Sequence, residues 1–582
     1  MSRDLQADLS MLREVLKLAQ ARDFARAGAM ARKALDEGFE HPLLLNVAAT
    51  TLEQEGRFAE SAQLLDRAVA LAPQDVPARN ALALCLQRLD RPAEALVHIE
   101  TLLKDHPELG FAHANKGNAL IALGFLGRAQ TSHRRALELE PNNLSAMASL
   151  ASIASHRGNH AEARSWAQKV LAVVPNFPDA VISLAAAELA AGELARAANL
   201  LHSLLADPRV ADIDAARAGG LLGDVLDAGG RYEEALGAYT ACNTALQKIY
   251  AHFASETPLT AYANQLTETV GNTVDLRASN SRHAQPVAAG AAVNQHAQPV
   301  AANAAGNRHA QPVAASAAGN RHAQTVDASV GVSGHVFLLG FPRSGTTLLE
   351  VVLDGHPRVA SLDEHELLTE AVREFMRDPQ DLDALIRADE ADLQLARQAY
   401  WDRVRDGEVE VSGKVFVDKY PMNTLKLPVI ARLFPNAKIL FAYRDPREVV
   451  LACFRRRFKM NAATYELLTL PGAAALYDVT MRLGELMRPV FGGNWRDVRY
   501  ESLVADFAGQ TRAICEFLGL EWIAGMDDFA LRAQERERST PSTAQLARGL
   551  DRSGKVHWKN YRAALEPLLP GLGKWVQRFG YE

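Results

Sequence analysis

Cysteine is scarce in this sequence, with four in 582 residues. Cys85, Cys242, Cys453 and Cys515 stand far apart, with no CxxC pair and no metal-ligand spacing. That excludes a disulfide framework and a zinc knuckle, and it fits a reducing, cytoplasmic setting. Long apolar runs are missing too. No stretch approaches the roughly 20 residues of a membrane helix, and the opening MSRDLQADLS has no apolar stretch of the signal-peptide kind. Neither secretion nor membrane anchoring is expected. A large excess of one charge is also absent: the formal net charge is -6, which gives no general pull toward nucleic acid. Aromatic residues are thin at the front, where the first 240 residues hold Trp166 while five of the six tryptophans fall in the last third. What remains, 48% hydrophobic and 23% charged residues, is ordinary globular composition, and the length calls for more than one core.

Self-similarity accounts for the front part. Pro73, Pro107, Pro141 and Pro175 recur every 34 residues, and Gly56, Asp90, Gly124, Gly158 and Gly192 keep the same period in a second register. Between these marks the sequence reads as paired amphipathic helices, with Ala68 and Ala136 each five residues before a proline. Small residues let two helices approach, glycine permits the turn, and proline stops the second helix. The pattern resembles the tetratricopeptide repeat. It is clear over residues 42 to 211, an earlier unit keeps Ala34, and GGRYEEALGAYTACNTAL returns after a slip in spacing. An all-α right-handed solenoid over residues 1–250 is therefore expected. It would bury its apolar faces only between neighbours and offer a concave groove to a protein or peptide, with self-association or a bare spacer as the alternative.

Residues 251–333 read as a helical extension followed by a linker. From Arg277 to His335 there is no Leu, Ile, Met, Phe, Tyr or Trp, and HAQPVAA-like units place His283, His296, His309 and His322 thirteen residues apart. Such a composition buries too little surface to offset ordering entropy, so a slack tether is expected rather than a metal site.

Residues 334–582 carry the chemistry. Val336 to Leu339 reads as a buried strand and Thr347 to Leu353 as the start of a helix. Between them, Gly340-Phe-Pro-Arg-Ser-Gly345-Thr346-Thr347 has the glycine spacing of a phosphate-binding loop. Thr346 stands where a nucleotide triphosphatase has its lysine, which argues against Mg-ATP hydrolysis and against a P-loop kinase. Positive charge comes instead from Arg343. A second strand, Lys438 to Tyr443, runs into Arg444-Asp445-Pro446-Arg447 and a helix. An arginine there suits a phosphate, the alternative being that Arg444 merely pairs with Asp445. Two such loops point to one nucleotide with phosphates at both ends. The basic run Phe454 to Lys459 reads either as an attractor of anions or as a solvated helix face.

FPRSGTT, LDGHPRVASLDEHELL, DKYPMNT, FPNAKILFAYRDPREVV and RYESLVADFAGQTRAICEFLGLEW together resemble the sulfotransferases, in particular a tyrosylprotein-sulfotransferase-like branch fused to tetratricopeptide repeats. The resemblance implies a P-loop-like α/β domain with a central parallel sheet, and 3'-phosphoadenosine 5'-phosphosulfate (PAPS) as donor. By the same resemblance Arg343, Ser344, Gly345, Thr346 and Thr347 hold the 5'-phosphosulfate and Arg444 the 3'-phosphate. Ala452 replaces a serine usual in the family. Tyr500 aligns with the residue beside the adenine, with a core strand aromatic as the alternative. Ser542 matches a cofactor-side serine, and either Lys555 or His557 takes the place of a basic residue over the phosphate.

Sulfuryl transfer needs a base for the acceptor hydroxyl and positive charge for the leaving oxygen. Glu364 matches the family's base, with His365 as runner-up beside Asp363 and Glu366. Lys419 and Arg343 match the groups that stabilise the leaving oxygen, and no metal is required. The resulting expectation is a PAPS-dependent sulfotransferase acting on a hydroxyl, such as a tyrosine of a protein held by the repeats. The alternatives are a glycan or small-molecule acceptor, or a noncatalytic repeat adaptor with a degenerate nucleotide-binding domain.

Overall fold

The structure, a computed structural model, describes residues 5–254, 258–272, 331–407, 409–535, 546, 549–550 and 556–581. The linker histidines, Ser542 and Lys555 lie outside the described residues. The chain divides into two compact units. One comprises Met1–Ser255, Val450–Ala473 and Asp527–Lys574, the other Glu256–Val449, Ala474–Met526 and Trp575–Glu582.

The first unit is an all-α tetratricopeptide-repeat array whose helices run in pairs such as Pro42–Gln54 with Phe58–Leu71 and Gly110–Ala122 with Leu126–Leu139. The 34-residue period is visible in burial. Ala27, Ser61, Ala95, Ala129, Ala163 and Ala197 occupy one register and all are completely buried. Any larger residue there would hold the two helices of a pair apart. The second register marks the turns: Gly56, Gly124, Gly158 and Gly192 have φ between +74° and +84°, and Asp90 takes the same left-handed turn at φ +54°. Arg22, one period before Gly56, does so at φ +59°. The slip in spacing before Gly229 also has a simple form. Helix Asp212–Ala228 has 17 residues where Pro178–Ala190 has 13, one additional turn, after which Ala235 resumes the fully buried position.

The run Phe454 to Lys459 corrects the sequence reading. Phe454 is buried among Leu201, Leu222 and Tyr239. Arg455 pairs with Asp227 at 2.7 Å and Arg457 with Asp224 at 2.6 Å, both on helix Asp212–Ala228. These two arginines are thus neither solvated nor held in reserve for an anion. Their partners lie 228 and 233 residues earlier in the chain, where no local pattern reveals them.

The second unit holds a five-stranded sheet made of β1 (Gly334–Gly340), β2 (Val359–Asp363), β3 (Val415–Lys419), β4 (Lys438–Tyr443) and β5 (Trp495–Arg499). The order is β2-β3-β1-β4-β5 and every neighbouring pair is parallel. Near-continuous apolar runs in β1, β3 and β4 suit strands covered on both faces. The register aligns Asp363 with Lys419, Leu338 with Lys419, Gly340 with Ala442 and Tyr443 with Arg499. The residues that follow the strands therefore gather along one edge of the sheet, where open parallel sheets place their ligands.

Candidate functional site

The first loop is shaped by backbone that side chains would obstruct. Gly340 ends β1 at φ +144°, and a Cβ there would sit 2.3 Å from the Ala442 carbonyl oxygen. Thr424, fully buried, fastens this corner: its hydroxyl donates to Gly340 O at 2.8 Å and accepts from Gly340 N–H at 3.1 Å. Arg343 and Gly345 follow at φ +71° and +101°, and the helix Thr346–Leu353 begins directly afterwards. Ser344 is buried, and its hydroxyl has no hydrogen-bond partner among the described residues. A buried hydroxyl without a protein partner, at a helix start and beside an arginine, fits an anion. The residues present therefore suit the phosphosulfate end of a nucleotide donor.

The second loop follows β4. Asp445 is taken by Arg447, which donates to its two carboxylate oxygens at 2.9 and 2.8 Å. The Arg444 guanidinium instead lies 4.7 Å above the Tyr500 ring, with Glu448 at 3.8 Å. The simple Arg444–Asp445 pair considered from sequence is thus not formed. Tyr500 is the first residue of helix Tyr500–Ala505, immediately after β5, and not a strand residue. Its ring also closes on the first loop, since a Cβ on Gly345 would come within 2.6 Å of it. One aromatic ring therefore lies against both loops.

Acidic and basic groups meet at the ends of β2 and β3. Lys419 is fully buried, and its ammonium donates to Glu364 at 2.8 Å. Glu364 has φ +48°, and its N–H donates to the Lys419 carbonyl at 2.9 Å. On the other side, the wholly buried Glu350 brings a carboxylate oxygen to 3.5 Å from the same ammonium. Ser361 of β2 donates to Glu350 at 3.2 Å. Glu366 pairs with Lys426 instead. Burial works against its charge, but Lys426, with help from Tyr420 and Arg403, holds its pKa below the usual carboxylate value.

Arg343, Ser344, Gly345, Thr346, Thr347, Glu364, Lys419, Arg444 and Tyr500 all fall at the carboxyl ends of the strands or in the loops and helix starts that follow them. His557 is found in the repeat unit, with Nε2 2.8 Å from Asp227 and its ring edge-on to Tyr232. Sequence reasoning passed over Glu350, Ser361 and Thr424. A glutamate in the middle of the apolar TTLLEVVL was the available signal for the first of these.

Residues 335–524 match the profile described as the sulfotransferase family. This part of the chain is a sulfotransferase domain. Residues 12–76, 52–113 and 114–181 match tetratricopeptide-repeat profiles. A protein-tyrosine sulfotransferase 2 from Gallus gallus is 29% identical over 202 residues, 32% of this chain and 51% of that protein. Protein-tyrosine sulfotransferase 1 from Mus musculus is 33% identical over 139 residues, 23% of this chain and 36% of that protein. An uncharacterized protein from Aquifex aeolicus is 27% identical over 245 residues, 40% of this chain and 31% of that protein. The chain thus spans about half or less of the length of these relatives, and in the two sulfotransferases no more than 51%. Within the sulfotransferase domain, the loops, Lys419 and Tyr500 described above all fall inside the matched residues.

Proposed function

We propose that this protein transfers a sulfuryl group from PAPS to an acceptor hydroxyl, and that the acceptor is a tyrosine of a protein or peptide engaged by the repeats. The observation that carries the reading is the Glu364–Lys419 pair, 2.8 Å apart at the strand ends that also bear the anion-fitting loop. PAPS supplies the sulfuryl group and a phosphate leaving group. Ser344, the N–H groups from Gly345 to Thr347 and Arg343 hold its phosphosulfate, and Arg444 its 3'-phosphate, with Tyr500 against the adenine. Glu364 takes the proton of the acceptor hydroxyl as that oxygen attacks sulfur. Lys419 and Arg343 put positive charge beside the oxygen that becomes negative. These residues need no metal for that neutralisation. The tyrosine assignment follows the names of the relatives together with the presence of repeats, whose concave surfaces commonly hold other chains.

The test is transfer of labelled sulfur from PAPS to tyrosyl peptides, glycans and simple phenols, with binding of the product nucleotide 3'-phosphoadenosine 5'-phosphate (PAP) measured by calorimetry. Transfer to a tyrosyl peptide is expected. Absence of nucleotide binding would overturn the enzymatic reading, and binding without transfer to any acceptor would favour the repeat adaptor.

A further inference from the structure

The helix Thr346–Leu353 is buried at every position, and Glu350 is its one charged residue. A carboxylate in such a place must have charge and hydrogen-bond partners, or it would be neutral or absent. Its partners include the Ser361 hydroxyl at 3.2 Å and the Lys419 ammonium at 3.5 Å. Lys419 therefore stands between two carboxylates of unlike character. Glu350 is completely buried on the helix that leaves the phosphate loop, while the Glu364 side chain is 40% exposed and directly hydrogen-bonded.

We infer that Glu350 is a positioning residue, a fixed counter-charge that holds the Lys419 ammonium in place when Glu364 loses its charge by taking the acceptor proton. The inference rests on the sulfotransfer reading of Glu364 and Lys419. The Lys419 ammonium occupies one oxygen of the Glu364 carboxylate, and once the other takes the acceptor proton Glu364 no longer neutralises the lysine. Stripping a buried ammonium of a carboxylate partner is strongly unfavourable unless another remains nearby. Glu350 is that partner. Because it comes from the phosphate-loop helix, it also ties the lysine to the element that would cradle the anion. Ser361 fixes one carboxylate oxygen and leaves the other directed to Lys419.

The experiment compares the full chain with Glu350→Gln, which keeps the shape and removes the charge, and Glu350→Asp, which keeps the charge on a shorter stem. In Glu350→Gln the lysine loses this counter-charge and leans more on Glu364. The turnover number kcat is expected to fall about 30-fold while PAP affinity changes by less than about threefold. Glu350→Asp should retain more activity than Glu350→Gln. Glutamine equal to or better than aspartate, or nucleotide affinity falling in step with kcat, would reduce Glu350 to packing and overturn the inference.

A second readout does not depend on turnover. The Lys419 side-chain carbon resonance, assigned by its loss in Lys419→Arg, is followed against pH. The ionisable groups around Lys419 include Glu350, Glu364 and Tyr420, and Asp363 is its neighbour in the β2–β3 register. Loss of the Glu350 charge should move the lysine titration down by about one pH unit or more, and an unchanged titration would overturn the inference. If the wild-type protein transfers nothing, the sulfotransfer reading fails by itself, and the titration still decides whether Glu350 is the counter-charge of Lys419.

Discussion

Glu364 and Lys419 are joined twice: the lysine ammonium donates to the glutamate carboxylate at 2.8 Å, and the glutamate N–H donates to the lysine carbonyl at 2.9 Å. The backbone bond belongs to the last pair of the β2–β3 ladder, Asp363 with Lys419, and it coincides with the left-handed backbone at Glu364, φ +48°. A non-glycine residue held in that region costs about 1–3 kcal/mol and persists only where its surroundings fix it. Here the fixed side chain is the one best sited to take a proton.

Glu364→Gln keeps the shape of the side chain and can still accept from Lys419, but it is no longer a base. Transfer to the acceptor is expected to fall about 10²–10⁴-fold, with PAP affinity nearly unchanged. Turnover and calorimetry on the same preparation check both. Loss of nucleotide binding in parallel would mean that the glutamate shapes the loop and does no proton transfer.

Arg444→Ala should act on binding. Charge-assisted hydrogen bonds to a phosphate contribute about 1.5–3 kcal/mol, so PAP affinity should drop about 10- to 100-fold. Affinity for adenosine 5'-phosphate, which lacks the 3'-phosphate, should hardly move. The ratio of the two constants is the measurement, and an equal fall in both would assign Arg444 to support of Tyr500, over whose ring it lies at 4.7 Å.

Some of this was legible in the chain and some was not, for physical reasons. The repeats announce themselves because each unit solves the same packing problem, down to the left-handed turn at Asp90. β1 and β4 are apolar runs entering glycine or arginine loops, and β4 spans Lys438–Tyr443 as its pattern predicts. β5, with the sequence WRDVR, is an edge strand whose polarity hides it, and so Tyr500 could be taken for a strand residue when it opens a helix. Glu350 and Lys419 are brought together only by the parallel crossover. Asp224 and Asp227 find Arg457 and Arg455 across more than two hundred residues.

His557 tests how far a resemblance can be carried. Its position after Ser542 implies that either it or Lys555 covers a phosphate of the donor, whereas its Nε2 meets Asp227 at 2.8 Å. Asp227 also accepts from Tyr561 and pairs with Arg455. Burial opposes its charge, but His557, Arg455 and Tyr561 together hold its pKa below the ordinary carboxylate value. His557→Ala is expected to lower the stability of the repeat unit by about 1–2 kcal/mol while leaving PAP affinity unchanged. A clear fall in PAP affinity would instead assign His557 to the phosphate.

His133 gives the repeat unit a dependence on acid. The ring is completely buried, neither nitrogen has a hydrogen-bond partner among the described residues, and a Cβ on Gly117 would lie 2.4 Å from Nε2. Burial pushes its pKa down to about 4 from the ordinary 6.5. The unfolded chain therefore binds a proton that the folded chain refuses, and stability must fall as pH drops from about 6.5 toward 4. At pH 5 the loss from this one residue amounts to about 2 kcal/mol relative to neutral pH. His133→Leu keeps an apolar side chain against Gly117 and removes the titration. Its helical melting midpoint, followed by circular dichroism, should therefore decline less between pH 7.5 and pH 5 than that of the wild type. Equal declines in the two proteins would show that the acid sensitivity lies elsewhere. His335, half-buried among aromatic rings and 2.8 Å from the Tyr400 hydroxyl, would then be the next histidine to vary, since desolvation pushes its pKa down to about 3.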